Sequence, residues 1–386
     1  MKIEEIAKNI YYVGVEDKTI DLFESQYIVP KGITYNSYII KDKKNLIVDT
    51  VDSRKTEEWL ENVEKVLEGE TLDYLVVSHL EPDHSGSIDA LISKYPEMKI
   101  VGNAKTFAFM PQFIKSNIEN KKVLVEEGEE LSIGEHTFKF IMAPMVHWPE
   151  VMVEYEEKEK ILFSADAFGT FGILENEENW YEDAGRYYFN IVGKYGIQVQ
   201  ALLKKAATLD ISKICPLHGP ILKENLEKYI KLYDVWSRYE PEEEGITIAY
   251  TSIHGNTKKI AEKLAKDLID RGEKVAIYDL SRGNLSYAIA DAFRYSKLVL
   301  LSATYNMQLF PPMQSFLSQL QGKNYQNRKL AIIENGSWAP NAANCIKEFA
   351  SKMKDITIYE PIVTVRTTLN EESKQKLENL LENLVK

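Results

Sequence analysis

The sequence predicts two units in one chain, an α+β unit on a mixed sheet followed by an α/β unit on a doubly wound parallel sheet. In residues 1–244, strand-like hairpins alternate with amphipathic helices, which is typical of a mixed sheet covered by helices. In residues 245–386, apolar runs alternate regularly with helical patterns, which is typical of a parallel sheet. The break is Tyr239-Glu-Pro-Glu-Glu-Glu-Gly245, where a charged helix meets proline and glycine, so we place the domain boundary between residues 244 and 245.

Hydrophobic periodicity predicts the individual elements. In the first half the predicted elements are the hairpin Tyr35–Ile40 and Asn45–Asp49, a helix over 54–67, the buried strand Leu72–Ser78, and the hairpin Val151–Tyr155 and Lys160–Ala165. In the second half the predicted strands are Ile246–Tyr250, Val275–Leu280, Lys297–Ser302, Lys329–Glu334 and Ile356–Val363. The helical patterns that separate and follow them are 257–270, 286–294, 312–320, 341–353 and 371–384.

The composition is that of a soluble globular protein, with 44% hydrophobic and 27% charged residues over 386 positions. A net charge of −12 disfavours nucleic acid and anionic lipid as partners. The charge is divided unevenly, −17 over residues 1–244 and +5 over residues 245–386. The chain has no long apolar run and no signal-peptide pattern, and its two cysteines are far apart, so we expect no membrane association, no disulfide and a cytoplasmic location.

Four of the six histidines lie at strand ends or beside turn residues in the first half, and they are candidate metal ligands. The segment His79-Leu-Glu81-Pro-Asp83-His84 places four ligand-type side chains within six residues, directly after a buried strand. In an extended turn, His79, Glu81 and Asp83 alternate toward one side and His84 closes the loop. A lone histidine is more often structural, but this density at a strand end predicts a metal site.

The remaining candidate ligands also follow predicted strands. His147 lies in a proline-bounded turn, Asp166 ends a strand, and His218 lies in a Gly-Pro turn. Four histidines and three carboxylates are enough for two metal ions that share one carboxylate. We expect Cys215 to pack as a small apolar residue and His136 to be solvated at a hairpin turn.

This pattern resembles the metallo-β-lactamase fold, whose hydrolases carry a His-x-His-x-Asp-His loop. Glu81 stands here at the second histidine, and a carboxylate makes the site harder and more anionic, which favours iron over zinc. With His-Trp-Pro at His147, an Asp ending a strand, His-Gly-Pro at His218 and a flavodoxin-like second half, essentially the whole chain resembles a flavodiiron protein. The resemblance implies a metallo-β-lactamase-like αββα diiron domain over residues 1–244 and a flavodoxin-like FMN-binding domain over residues 245–386.

The same resemblance implies roles for the candidate ligands. One non-haem iron would be held by His79, Glu81 and His147, the other by Asp83, His84 and His218, with Asp166 bridging the two. Some family members carry a histidine in the loop that here reads Asp21-Leu-Phe-Glu-Ser-Gln26. This chain has none there, and Glu24 is its counterpart by position.

In the second half, polar and small residues follow three predicted strands, and they are candidate flavin contacts. Hydroxyls and Gly255 between a strand and a helix suit a phosphate, and the absence of a lysine there suits a flavin mononucleotide. His254 either contacts that phosphate or faces solvent. Trp338 and Tyr305 are candidates to stack on the flavin ring, because ligands bind at the carboxyl ends of such strands. The complete set is Thr251, Ser252, Ile253, His254, Gly255, Asn256, Thr257, Ser302, Ala303, Thr304, Tyr305, Asn306, Asn335, Gly336, Ser337 and Trp338.

We therefore expect an oxidoreductase that reduces dioxygen to water, nitric oxide to nitrous oxide, or both, with a slight preference for dioxygen. Its expected cofactors are FMN and two non-haem iron ions. The resemblance implies an external electron donor, rubredoxin or a reduced deazaflavin, and a head-to-tail homodimer or a tetramer. The alternatives are nitric oxide reduction as the main activity, a zinc-dependent hydrolase or flavin redox adaptor without oxygen chemistry, and a regulatory flavoprotein that senses either gas.

Overall fold

The computed structural model describes residues 3–173 and 176–386, which form two compact units. The first unit comprises Met1–Tyr188 and Ile197–Asp234, and the second comprises Phe189–Gly196 and Val235–Lys386. The second unit thus takes in segments that precede the predicted boundary between residues 244 and 245. Tyr239 shows why, because its hydroxyl donates to the Lys194 carbonyl and its own carbonyl accepts from Arg328.

The first unit is built on two sheets. Strands β1 to β11 are Glu4–Ala7, Ile10–Tyr12, Val15–Asp17, Leu22–Phe23, Tyr27–Ile28, Ile33–Tyr35, Tyr38–Ile40, Leu46–Val48, Tyr74–Val76, Lys99–Gly102 and Lys122–Leu124. Strands β12 to β16 are Glu130–Ser132, Thr137–Met142, Met152–Glu156, Ile161–Phe163 and Lys213–Cys215. One sheet has the order β1-β2-β7-β8-β9-β10-β11 and the other the order β12-β13-β14-β15-β16, with small pairs β3-β6 and β4-β5.

The two sheets pack face to face around one apolar core. Tyr38, Val48 and Val76 from the first sheet meet Phe140 and Phe163 from the second. Strands β8 to β11 are parallel, and β15 is parallel to β16, so their carboxyl ends point the same way within each sheet. This arrangement creates one edge at which loops from both sheets carry functional side chains.

Helices α1 to α7 belong to the first unit, except that α6 begins in, and α7 ends in, a segment assigned to the second. Their bounds are Thr56–Leu67, Pro82–Ser85, Ile88–Lys94, Ala104–Phe109, Tyr181–Tyr187, Gly196–Ala206 and Leu226–Ser237. The helix predicted over 54–67 is confirmed, with a 3-10 turn at Ser53–Lys55 before it. It buries Trp59, Val63 and Leu67, which recur at the spacing of one helix face.

The second unit is the predicted parallel sheet with interleaved helices. Its strands β17 to β23 are Glu243–Tyr250, Val275–Asp279, Tyr295–Tyr305, Gln308–Leu309, Arg328–Asn335, Ile356–Ile358 and Val363–Val365, and its helices α8 to α12 are Asn256–Asp270, Leu285–Arg294, Pro311–Gly322, Ala342–Ser351 and Glu371–Leu384. The sheet order is β18-β17-β19-β21-β22, and each of these pairings is parallel. The doubly wound pattern predicted from the sequence is confirmed.

The prediction of one continuous strand over residues 356–363 in the second unit is wrong. The run 356–363 forms two strands, β22 and β23, which pair with different parts of β21. Pro361 lies between them, and because proline has no backbone N–H it interrupts the hydrogen-bonded ladder. Across the described residues, no helix has the length and apolar character that crossing a membrane requires.

Candidate functional site

The candidate metal ligands of the first unit are delivered by strand ends. His79, Asp166 and His218 each lie three residues after the last residue of a strand, namely β9, β15 and β16. His147 lies in the loop between β13 and β14. Rigid strands therefore fix the direction from which each of these side chains enters the site.

The segment that carries Glu81, Asp83 and His84 differs from the extended turn that we predict. Helix α2 begins at Pro82, directly after Glu81, so Asp83 and His84 lie on one helical turn. The reason is that proline is favoured at the first helical position, where its missing N–H costs nothing. All three side chains still face the cluster described below.

Four of the candidate ligands form a first group, His79, Glu81, His147 and Asp166, whose ligand atoms all lie within 4.8 Å of one another. The Nε2 atom of His147 lies 3.0 Å from a Glu81 oxygen and 3.0 Å from Asp166 Oδ2. The Nε2 atom of His79 lies 3.2 Å from the same Glu81 oxygen and 3.5 Å from Asp166 Oδ2. Two imidazoles and two carboxylates thus converge on one point.

The other three candidate ligands form a second group, Asp83, His84 and His218. Asp83 Oδ2 lies 3.4 Å from His84 Nε2 and 3.2 Å from His218 Nε2. Asp166 Oδ1 lies 3.3 Å and 3.6 Å from the same two nitrogens. Asp166 therefore presents one carboxylate oxygen to each group, which is the geometry of a bridging ligand.

The chemistry of these side chains fits two cations. Polar atoms of Asp83, His84, His147, Asp166 and His218 are buried without a hydrogen-bond partner within the described part of the chain. The ion pairs that the structure shows for Glu81, Asp83 and Asp166 are with histidines, and no lysine or arginine of the described residues joins them. Buried carboxylates and unpartnered ring nitrogens of this kind are stabilised by metal coordination.

Electrostatics within the cluster keep its carboxylates ionised. Although burial acts to raise the pKa of Asp166, the neighbouring His84 and the other histidines hold it well below its usual value. Burial acts to lower the pKa of His147, but its contacts with Asp166 and Glu81 raise it to about 9. A metal cation bound between these side chains would compete with protons for the same histidine nitrogens and carboxylate oxygens.

Two of the histidines are fixed by a hydrogen bond at the nitrogen that faces away from the cluster. His79 Nδ1 lies 2.9 Å from Glu150 Oε1, and His218 Nδ1 donates to the Thr34 carbonyl at 2.6 Å. Both bonds leave Nε2 free to face the ligand groups. Glu150 is not among the predicted site residues, because it lies 71 residues from His79 in the sequence and only the fold brings the two together.

Aromatic side chains surround the second group. The rings of Phe23, Tyr35 and Tyr187 pack against His218, with centroids 5.3, 5.9 and 5.8 Å away. Tyr187 is fully buried and its hydroxyl has no hydrogen-bond partner among the described residues. These three residues are not among the predicted site residues, because only the folded chain brings them to the cluster.

A cavity of about 390 Å³ opens beside the cluster and is lined by Glu24, Glu81 and Asp83 among other residues. Gln26 donates a hydrogen bond to Glu24 at 3.1 Å. Burial, together with the charge of Glu81, raises the pKa of Glu24 to about 7. The loop that carries Glu24 therefore does lie next to the candidate metal ligands.

His136 and Cys215 are both buried in the first unit. His136 is not solvated, because it is fully buried and its Nδ1 lies 2.9 Å from the buried carboxylate of Glu156. A histidine in a polar hairpin sequence can be buried here because a buried carboxylate supplies its ring with a hydrogen-bond partner. Cys215 packs in the apolar core as predicted, and both it and Cys345 are free thiols.

In the second unit, the three predicted loops meet in a cavity of about 170 Å³ at the carboxyl ends of β17, β19 and β21. Gly255 has φ +87° and open space where a side chain would project, so its backbone is accessible to a ligand. Its N–H donates a hydrogen bond to the Ser252 hydroxyl at 3.1 Å, and α8 begins at the next residue. A helix N-terminus beneath such a loop favours a phosphate.

Most of the predicted flavin contacts line this cavity, and a few do not. The lining residues are Ser252, Ile253, His254, Asn256, Thr257, Ala303, Thr304, Asn306, Met307, Asn335, Gly336, Ser337, Trp338, Ala339 and Thr367. Thr251 and Ser302 are buried and face each other, 3.2 Å apart, while Tyr305 packs against Phe310. Met307, Ala339 and Thr367 also line the cavity and are not among the predicted contacts. Thr367 is held at the cavity by its N–H, which donates a hydrogen bond to Asn335 Oδ1 at 3.0 Å.

Comparisons with known proteins agree with this architecture. Residues 33–219 match the family described as ODP family beta lactamase, and residues 247–379 match the flavodoxin domain. An anaerobic nitric oxide reductase flavorubredoxin of Vibrio vulnificus is 28% identical over 88% of this chain and 71% of its own length.

Two solved structures have the same fold over nearly their whole length. The rubredoxin oxygen:oxidoreductase of Desulfovibrio gigas is 25% identical, with a TM-score of 0.91 over 99% of this chain and 98% of that one. A mutant of the flavo di-iron protein of Thermotoga maritima is 25% identical, with a TM-score of 0.90 over 100% of this chain and 98% of that one. The paired β-lactamase-like and flavodoxin domains therefore show that this chain belongs to the flavodiiron protein family of oxidoreductases.

Proposed function

We propose that this protein reduces dioxygen to water, nitric oxide to nitrous oxide, or both, at a dinuclear non-haem iron site supplied with electrons through FMN. The observation that carries the proposal is Asp166, whose two carboxylate oxygens face two separate groups of ligands. Two metals that share a carboxylate are held close enough to act on one small molecule. In this proposal residues 1–244 are the diiron domain and residues 245–386 the FMN domain.

The ligand assignment follows the two groups. His79, Glu81 and His147 would hold one iron, Asp83, His84 and His218 the other, and Asp166 would bridge them. The donor set contains only imidazole and carboxylate, which suits iron. When bound, the irons supply the reduction chemistry of the gas and FMN supplies the transfer of electrons.

The protein side chains around the cluster position and protect it. Phe23, Tyr35 and Tyr187 cover His218 with aromatic surface, which limits the access of water to the second group. The cavity that Glu24 lines gives a small molecule a route to Glu81 and Asp83. Glu24, with a pKa raised to about 7, is a carboxyl able to carry a proton near neutral pH at that route.

FMN is proposed to occupy the cavity of the second unit. The loop Thr251–Thr257 and the start of α8 would bind its phosphate, and the loops that contain Asn306 and Asn335 would bind its ring. Trp338 is 79% exposed, unusual for a tryptophan, and it lies at the cavity wall. An exposed indole at this place is well suited to stack on a planar ring.

Substituting Trp338 by alanine is expected to weaken FMN binding about tenfold, because a stacking contact of roughly 1 to 1.5 kcal/mol is lost. The measurement is a fluorescence titration of the flavin-free protein with FMN. Ile269→Ala, at another exposed apolar residue of the same unit that does not line the cavity, is the control and should bind FMN as the original chain does. Equal affinities in the two variants would refute the assignment of Trp338.

The relatives' names bear on the electron donor. The Desulfovibrio gigas protein is named for rubredoxin and oxygen, so we propose rubredoxin, or a reduced deazaflavin, as the donor of this chain. The net charge of +5 over residues 245–386 would attract an acidic donor. Steering of this kind weakens with salt, so the rate of electron uptake should fall as ionic strength rises. A rate that is insensitive to salt would remove the steering argument.

The resemblance also leads us to propose a head-to-tail homodimer or a tetramer as the working state, because electron transfer needs close approach between the cofactors. Analytical ultracentrifugation together with turnover measurements tests this. A monomer with normal turnover would contradict it.

Purification and gas-consumption assays test the function itself. About two irons and one FMN per chain, with consumption of gas at an anaerobic electrode when one reducing donor is supplied, is the expected result. Comparing both gases under the same donor decides the substrate, since the flavorubredoxin relative is named for nitric oxide and the Desulfovibrio gigas structure for oxygen. Zinc in place of iron would support the hydrolase or adaptor alternative, and gas binding without turnover would support the sensor alternative.

A further inference from the structure

We propose that Glu150 is a positioning residue that orients His79 and makes it a stronger donor than the histidines of the other group, so that the two metal sites are unequal. The inference rests on the ligand assignment in the proposed function. It adds a residue outside both ligand groups and a difference in metal affinity and potential between the two sites.

The contact between Glu150 and His79 is buried and joins a carboxylate oxygen to the ring nitrogen that faces away from the ligand group. Glu150 is 1% exposed and His79 is fully buried. Glu150 Oε1 lies 2.9 Å from His79 Nδ1, while His79 Nε2 faces Glu81 and Asp166. A carboxylate acceptor holds the proton on Nδ1 and leaves the lone pair of Nε2 for a metal, and the partial negative charge transferred to the ring increases its basicity.

Glu150 is itself held in place. Its Oε1 also accepts a hydrogen bond from the Leu80 N–H at 3.0 Å, and its backbone carbonyl accepts one from the Asn103 side chain at 2.6 Å. Asn103 in turn caps the start of α4 through the N–H groups of Lys105 and Thr106.

Within the described residues, no carboxylate accepts a hydrogen bond from the Nδ1 atom of His84 or of His218 in the second ligand group. His218 donates to a neutral backbone carbonyl, that of Thr34. The Nδ1 atom of His84 is buried and has no hydrogen-bond partner among the described residues. A neutral acceptor, or none, polarises an imidazole less than a carboxylate does. The metal held by His79 is therefore expected to be the more tightly bound and the more electron-rich of the two.

The same unit contains a matched control pair. His136 Nδ1 lies 2.9 Å from Glu156 Oε1, and both side chains are fully buried. Neither residue belongs to a ligand group. Glu156→Gln therefore makes the same chemical change in a buried His–Glu pair without touching the proposed metal site.

The experiment compares the original protein, Glu150→Gln and Glu156→Gln, each loaded with FMN and iron. Competition with a chelator should show that Glu150→Gln holds one of its two irons about 10 to 100 times more weakly, while Glu156→Gln binds both as the original does. A redox titration followed by electron paramagnetic resonance should show the potential of one iron moved to a more positive value in Glu150→Gln alone. Glu150→Asp keeps the charge, so it should recover part of the affinity and serves as the second variant if the glutamine variant does not fold.

Three outcomes would count against the inference. The first is that Glu150→Gln has the same metal affinity and resonance spectra as the original protein. The second is that Glu150→Gln and Glu156→Gln lose equal amounts of metal. The third is that Glu150→Asp recovers none of the metal affinity. Failure of the proposed function looks different, because the original protein would then bind no pair of irons at all.

Discussion

Replacing Asp166 by asparagine is expected to remove most of the bound iron and to lower gas consumption at least about 100-fold. Asp166 offers one oxygen to each ligand group, at 3.0 Å from His147 Nε2 and 3.3 Å from His84 Nε2. An amide has one carbonyl oxygen and no charge, so it cannot bridge two cations that three carboxylates otherwise neutralise. Loss of residues around a metal already costs about 10- to 100-fold, and loss of a bridging ligand should cost more.

The measurements for Asp166→Asn are iron and FMN per chain, circular dichroism and turnover with each gas. FMN content and secondary structure should stay unchanged, because the proposed flavin site lies in the other unit. Asp210→Asn is the matched control, since this aspartate belongs to the same unit, its side chain is 76% exposed, and it pairs with Lys160 at the surface. Iron content and turnover of Asp166→Asn equal to those of Asp210→Asn would contradict the bridging role.

The second large effect that we expect is a loss of folding stability when Arg328 of the flavodoxin-like unit is substituted. Its buried guanidinium donates to the carbonyls of Tyr239, Phe293 and Tyr295, and to those of Gln326 and Asn327. The bonds to Tyr239 and Tyr295 are 2.7 and 2.9 Å long. Arg328 thus ties the start of β21 to the end of α9 and to the segment before β17, and burial lowers its pKa.

Arg328→Met should lower the free energy of unfolding by about 3 kcal/mol or more, because several buried carbonyls lose their donor at once. Denaturant unfolding followed by circular dichroism and flavin release measures the change. Arg271→Met is the control. This arginine of the same unit is 36% exposed and pairs at the surface with Glu378, so its loss should cost less than about 1 kcal/mol. A loss at Arg328 no larger than that at Arg271 would show that the carbonyls find other partners.

Much of the fold could be predicted from periodicity, but not all of it. The parallel sheet of the second unit has strong apolar strands such as β19 and β21, and these are recognisable at once. The first unit has many strands of two or three residues, such as β4 and β5, which are too short for any periodic signal. The division of the run 356–363 depends on Pro361, whose effect on a strand can be recognised only once the partner β21 is known.

The candidate ligands could be proposed from the sequence because their chemical types are rare and clustered. Only six histidines occur in the chain, and His79 and His84 frame two carboxylates in one short segment. The residues that hydrogen-bond to these candidate ligands from distant parts of the chain could not be predicted in the same way. Glu150 lies 71 residues from His79 and Thr34 lies 184 residues from His218, so their hydrogen bonds leave no local pattern. His136 shows the converse, since its polar surroundings in sequence suggest exposure whereas the fold buries it.

Composition and periodicity are local properties, so they could indicate which residue types are available for metal and flavin chemistry and which of them follow strands. The folded structure was needed to show that Asp166 faces both candidate ligand groups, that a carboxylate contacts His79 while a carbonyl contacts His218, and that Thr367 lines the cavity of the second unit. The physical reason is that these relations depend on distances of a few ångströms between side chains far apart in the chain. Packing of two sheets sets such distances, and no short stretch of residues encodes them.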